Sequence, residues 1–243
     1  MRFTLPAAIL ALLLPSLAAA NQPVPAGTAP RPVVVELFTS QGCSSCPSAD
    51  AAFGRLLMRP GVIALAFHVT YWDRLGWRDT LGDPAFTERQ RWYAGLLGKG
   101  LYTPQMVLDG ELDLVGSDPR LEQAVDLVRA QRVPLPIEIT AAGVALLPDA
   151  EVTGDVRLTA IGYDPHHLVA IGRGENAGSS VDYYNAARTL HDLGAWDGRS
   201  RRLALGAAPG TGVVLLAQDQ ATGRVLALGR REPGEVPSPA VTL

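Results

Sequence analysis

The feature that most limits what this chain can become is Cys43-Ser44-Ser45-Cys46-Pro47, set between an apolar run and a stretch of helical spacing. Val33, Val34 and Val35 with Leu37 and Phe38 read as a buried β-strand. Beyond Ser48, Ala52, Phe53, Leu56 and Leu57 recur at helical spacing until Pro60-Gly61 stops the pattern. The cysteine pair therefore falls at a strand-to-helix junction. Cys43 would precede the first helical turn, where free amides and the positive end of the helix dipole stabilise a thiolate. A free cysteine titrates near ~8.5, and such settings lower it to roughly 3.5–7.5. Cys46, one turn in, would be more buried. That predicts a division of labour in which Cys43 attacks and Cys46 resolves a mixed disulfide. The chain has two cysteines in 243 residues, which excludes a multi-disulfide framework and a four-cysteine zinc site.

The flanking pattern extends this frame. Residues 62–69 form a second apolar run, giving β-α-β with parallel strands and a right-handed crossover. Residues 71–82 are polar and aromatic and read as an irregular insert. Asp83-Pro84 opens a helix to about residue 97. Residues 105–108 and 111–115 are strands joined by the hairpin turn Asp109-Gly110. Ser117-Asp118-Pro119 caps a helix over 120–132. Pro134 and Pro136 mark a boundary. Beyond it, short alternating runs at 137–140, 156–160, 168–171, 202–205, 213–217 and 225–228 predict a smaller antiparallel β-sandwich over 135–231. Residues 177–198 read as an interruption too long for a hairpin, and 232–243 as a tail.

Arg2, the apolar residues 5–14 and Ala18-Ala19-Ala20 have the layout of a signal peptide over 1–20. The apolar stretch falls short of the ~20 residues a membrane span needs. Residues 21–32, with prolines at 23, 25, 30 and 32, read as an extended leader. No later segment reads as a membrane span. The expectation is a periplasmic or secreted protein in an oxidising compartment, where two cysteines pair or exchange. With 21 basic and 24 acidic residues, the chain lacks the basic excess of a nucleic-acid binder. There is no Gly-rich phosphate loop and no G-x-S-x-G nucleophile elbow.

The order β-α-β-α-β-β-α, with C-x-x-C before the first helix and Thr103-Pro104 before the third strand, resembles the thioredoxin fold. The resemblance implies that Pro104 is cis and faces the cysteines, and that the backbone of Thr103 holds the substrate. A closer likeness lies in residues 36–47, 68–77 and 102–105 and in Arg173-Gly174-Glu175-Asn176. These resemble an exported bacterial family catalogued as domain of unknown function 1223, which has a thioredoxin-like region. The Ser-Ser dipeptide, the aromatic insert and the appended β-region depart from ordinary thioredoxins, so no redox potential or substrate follows by analogy.

The leading expectation is an enzyme, a thiol–disulfide oxidoreductase. Cys43 and Cys46 would be its catalytic pair, Thr103 and Pro104 would bind substrate, and no cofactor or metal is required. Its partners would be a protein thiol or disulfide and a redox partner. One alternative is a copper metallochaperone using the same cysteines with His68 as third ligand. Another is a binding module in which the disulfide is structural. His68 could instead carry protons or be a hydrogen-bonded strand-end residue. Tyr71, Trp72, Asp73 and Trp77 could line a groove or plug a sheet edge, and Asp73 could be the acid that helps deprotonate Cys46. Thr39 and Gln41 read as turn residues. Arg173, Glu175 and Asn176 read as a loop that makes an ion pair at the domain interface, and His166-His167 as a surface turn.

Overall fold

The computed structural model describes residues 32–131, 134–205 and 211–234. The expected signal peptide, all but the last residue of the leader and most of the tail lie outside these. In chain order, the first region contains β1 (Val33–Thr39), α1 (Cys46–Leu56), β2 (Val62–His68), α2 (Pro84–Leu97), β3 (Gln105–Leu108), β4 (Leu112–Val115) and α3 (Leu121–Gln131). The second contains β5 (Leu135–Pro136), β6 (Glu138–Ile139), β7 (Val144–Leu147), β8 (Val156–Ala170), β9 (Ser180–Ala195), β10 (Arg201–Ala204), β11 (Gly212–Asp219) and β12 (Val225–Arg231).

β1 is buried along its whole length because it is covered on both faces. Val33, Val35 and Leu37 meet Phe53 and Leu56 of α1 and Val125 of α3. Val34 and Phe38, pointing the other way, meet Phe86 and Tyr93 of α2. β1 runs parallel to β2 and antiparallel to β3, in register from Val33↔Val62 to Thr39↔His68 on one side. Asp109 and Gly110 both have positive φ, 46° and 78°, which joins β3 to β4 by the tight turn expected. α2 begins as its sequence dictates. Pro84 fills the first turn, the Asp83 carboxylate accepts from the Ala85 amide, and Gly98 in the left-handed conformation ends it.

The sheet does not stop at Pro134. β9 lies beside β2, and the order β4-β3-β1-β2-β9-β8-β11-β12-β5 is one nine-stranded mixed sheet. The join is narrow: Ala66 pairs with Ala186 in parallel. Next to it Asn185, at φ 43°, donates its side-chain amide to the Ala64 carbonyl. A three-stranded sheet, β10-β7-β6, covers the far half over a core that includes Leu147, Leu158, Trp196 and Leu215.

Two local expectations are corrected. Residues 177–198 are no interruption, since 180–195 form β9, paired with β8 from Arg157↔Ala195 to Ala170↔Ser180. Short-strand spacing hid this, because the outer half of β8 and the inner half of β9 are largely exposed and their polar residues read as loop. His166-His167 lies inside β8, not in a turn. Pro165 is tolerated there because, among the described residues, β8 pairs with β11 only as far as Tyr163.

Candidate functional site

Cys43 and Cys46 are joined as a disulfide, with Cα atoms 5.4 Å apart. Cys46 is the first residue of α1, and the loop before it descends from the end of β1. Ser44 and Ser45 are exposed, but Cys43 is 1% exposed and Cys46 0%. Cys43 is thus as deeply covered as its partner, in contrast to the expected difference in burial.

Three segments converge on this loop. Trp72 lies with its Cβ against Gly42, 3.2 Å from where a Cβ would stand, and its indole donates to Thr103 Oγ1 at 2.8 Å. Trp77 donates to Gln41 Oε1 at 2.8 Å. The aromatic insert is therefore bonded to both the cysteine loop and the residue before Pro104. The Thr103–Pro104 bond is cis. The Pro104 carbonyl accepts from Gly116 N, and a Cβ on Gly116 would stand 2.7 Å from Ala49 Cβ of α1 and 3.0 Å from Pro104 Cβ. Only glycine permits that approach.

The third segment is the tip of the β8–β9 hairpin. Asn176 is buried, and its amide donates to the carbonyls of Gln41 and Cys43, both at 2.9 Å. The exposed Glu175 accepts from Ser44 N at 3.2 Å. Gly172 and Gly174 lie flat against Trp77.

Beneath the loop is a buried polar cluster. Asp50, on α1, is buried four residues after Cys46. Residues so spaced face the same way with Cβ atoms roughly 5–6 Å apart. His68 Nδ1 and the Asp79 carboxylate are 2.9 Å apart, both side chains fully buried. The Tyr183 ring meets the His68 ring edge-on at 4.7 Å. Thr39 Oγ1, Asp50 Oδ2, His68 Nε2 and Tyr183 Oη are all buried without a protein hydrogen-bond partner. Burial pushes the Asp50 carboxyl up to about 7, eased in part by the charge of His68 and by the nearby Thr39 hydroxyl, which does not meet hydrogen-bond geometry. Burial acts on Asp79 in the same sense. There the charge and hydrogen bond of His68, with the amides of Gln41 and Leu81, outweigh it and bring the carboxyl below its usual range. Burial, then the charges of Asp50 and Asp79, raise the Tyr183 hydroxyl far above its ordinary value.

The structure therefore brings Cys43, Cys46, Trp72, Thr103 and Pro104 to one place and sets His68 in the polar cluster behind. Asp73 is partly exposed at the start of a 3-10 turn and accepts from the Asp79 amide. The buried acids behind the cysteine loop are Asp50 and Asp79. Gln41 is fully buried and holds Asp79, Thr80 and Trp77, so it faces inward. His166 and His167 pair with Asp182 and Asp164 on the surface. Among the described residues no group of three His, Cys, Asp or Glu side chains is placed to hold a metal ion. Asp50, Asp79 and Tyr183 were missed from the sequence, while Glu175 and Asn176, expected at an interface ion pair, lie at that interface and bond backbone groups of the cysteine loop. Asp50 had a signal: with Cys46, Ala49 and Phe53 it completes the buried stripe of α1, an acid where an apolar residue belongs.

The family model described as protein of unknown function (DUF1223) matches residues 34–218, from β1 into β11. The chain belongs to the DUF1223 family. The match spans the cysteine loop, the aromatic insert and the hairpin tip together. This DUF1223 chain is similar to the crystal structure of protein AGR_C_4864 from Agrobacterium tumefaciens. The two share 27% identity at a TM-score of 0.68, over 84% of this chain and 95% of that one. It shares its fold with HBP35 of Porphyromonas gingivalis, at 14% identity and a TM-score of 0.59, over 89% of this chain and 80% of the other. No curated protein matches it significantly.

Proposed function

We propose that this DUF1223 protein is an exported thiol–disulfide oxidoreductase, with a thioredoxin-like region (residues 33–133) and a sandwich-like β-region (135–231). The observation that carries this reading is a C-x-x-C disulfide at the head of a helix, with a buried acid of pKa about 7 one turn below. A structural staple has no use for such an acid, and a disulfide closing so short a loop constrains little of the unfolded chain.

Acting as oxidant, the pair would work in two steps. A substrate thiolate attacks Cys43 Sγ, a new S–S bond forms, and the Cys43–Cys46 bond breaks with its electron pair left on Cys46. Asp50, near half-protonated at neutral pH, supplies the proton that quenches the Cys46 thiolate. A second substrate thiolate then attacks the substrate's own sulfur in the mixed disulfide and expels Cys43. The substrate is oxidised and the protein left as a dithiol. The reverse sequence reduces a disulfide, and either direction needs a redox partner to restore the starting state. Thr103 and Pro104 hold the substrate's main chain in this reading. In the copper alternative His68 would ligate through Nε2, its Nδ1 being held by Asp79.

The test is equilibration of the mature protein in glutathione buffers of defined poise, with alkylation counting free thiols. A reversible two-electron transition, with Cys43 the faster thiol to be alkylated, is expected. A disulfide that stays closed across the whole accessible range would overturn the reading.

A further inference from the structure

We infer that Glu175 and Asn176 are positioning residues for exchange at Cys43: they latch the β8–β9 hairpin tip over the disulfide, and a thiol reaches Cys43 Sγ only when that tip lifts. The inference rests on the proposed exchange at Cys43 and adds how access to it is controlled.

Attack on a disulfide sulfur requires the incoming thiolate to approach along the S–S axis, so the attacked atom must be open to solvent or to substrate. Cys43 is 1% exposed although both residues that follow it are exposed. A segment more than 130 residues away in sequence is bonded to the backbone on both sides of the Cys43 side chain. Asn176 ties the tip to the carbonyls of Gln41 and Cys43, and Glu175 ties it to the Ser44 amide. Gly172 and Gly174 rest on Trp77, which is itself bonded to Gln41.

The tip is built to be separable from the body. Its internal hydrogen bonds, Ala177 N to Gly174 O, Gly178 N to Ile171 O and Ile171 N to Ser179 O, stay within the tip when it moves. Apart from Asn176, residues 172–179 are exposed, so little apolar surface holds them down. The arms behind them are paired with each other up to Ala170↔Ser180. Lifting the tip therefore breaks three polar contacts and the stacking on Trp77 while leaving the hairpin intact. The Glu175 carboxylate also occupies the Ser44 amide at the head of α1, one of the donors that would otherwise face a Cys43 thiolate. The contacts that cover the sulfur are thus also placed to temper it.

The experiment is the second-order rate constant for reduction of the oxidised, full mature protein by dithiothreitol, followed by thiol counting. Dithiothreitol needs no recognition surface on the protein, so its rate reads access together with sulfur reactivity, and the charge-removing Glu175→Gln variant separates the two. Failure of the exchange reading would show separately, in the glutathione equilibrium. Asn176→Ala and Glu175→Ala are each expected to react roughly fivefold or more faster than the parent, the equivalent of about one hydrogen bond. Glu175→Gln keeps the acceptor and is expected to stay close to the parent. Val213→Ala, which weakens the distant core, is the control for opening by general loosening and is expected to leave the rate unchanged. Should Asn176→Ala not fold, Glu175→Ala carries the test, since that side chain is exposed. Rates within twofold of the parent for both alanine variants, or equal acceleration by Val213→Ala, would overturn the inference.

Discussion

At the scale of single residues, Asp50 is the group whose surroundings differ most from what its chemistry prefers. Its pKa of about 7 lies above the unfolded value of 3.8, so between roughly pH 4 and 7 the folded protein holds a proton that the unfolded chain releases. The contribution to stability is therefore complete at the acid end of that window and is lost as pH rises through 7. From the cited shift the loss between pH 5 and pH 8 is roughly 2–3 kcal/mol. Asp109, a partly buried residue of the hairpin turn whose carboxyl is pushed up to about 6 by desolvation, adds to the same trend. Asp79 has the opposite sign, and its contribution disappears only as pH falls below the ordinary carboxylate range. Asp50→Asn removes the first of these alone. Urea unfolding of the oxidised variant at pH 5 and pH 8 is expected to show a flatter dependence and greater stability than the parent at pH 8. Parallel curves for the two proteins would contradict the placement of that acid.

Among the elements, the join between β2 and β9 depends on one unusual residue. Asn185 occupies a left-handed conformation that costs a side-chain residue about 1–2 kcal/mol, and its amide bonds to Ala64 O. Asn185→Ala is expected to lose about 2 kcal/mol in chemical denaturation, from the conformation and the lost bond together. Asn185→Gly, which restores conformational freedom, is expected to lose about half that. Equal losses would show that the bond alone matters. This join marks where reading the sequence ran out. The β-α-β-α-β-β-α order was legible because each of its elements has a local signature: a β-branched run, a proline at a helix start, Asp-Gly at a turn. The Cys43–Cys46 pair was legible for the same reason. β9 was not, because Asp182, Tyr183, Tyr184 and Asn185 have no alternating pattern. Their side chains answer to α1, His68 and β2, which are distant in sequence. Asn176 was opaque for the same reason, as its role is to hydrogen-bond carbonyls 133 and 135 residues earlier.

For the molecule as a whole, the continuous sheet and one buried network tie the two regions together. Arg89 of α2 meets Glu36 of β1 with both nitrogens of its fork and donates to Gln218 of β11 at 2.7 Å. Tyr93 and Gln218 close the ring, with Gln218 also donating to Gly223 O. Nearby, the β3–β4 turn touches the β11–β12 turn so closely that a Cβ on Gly110 would stand 1.9 Å from Gly223 O. Arg89→Met leaves Glu36 buried without its cation and is expected to cost about 3–5 kcal/mol, while Glu36→Leu combined with Arg89→Met is expected to regain most of it. Because the network spans both regions, denaturation of the parent is expected to be a single transition. Trp92, beside Arg89, and Trp196, in the distant core, serve as separate probes through single-tryptophan variants. Two resolved transitions would mean that the regions unfold independently.

The hairpin tip also has a consequence for the order in which the molecule is made. A ribosome delivers Cys43 and Cys46 about 130 residues before Glu175 and Asn176. Whatever first oxidises the pair meets an uncovered α1 loop on a nascent chain, and a finished molecule presents the same sulfurs behind a cover. The history of the disulfide thus has two chapters with different accessibility. A pulse of alkylating agent during synthesis reads the first, and the same pulse after completion reads the second.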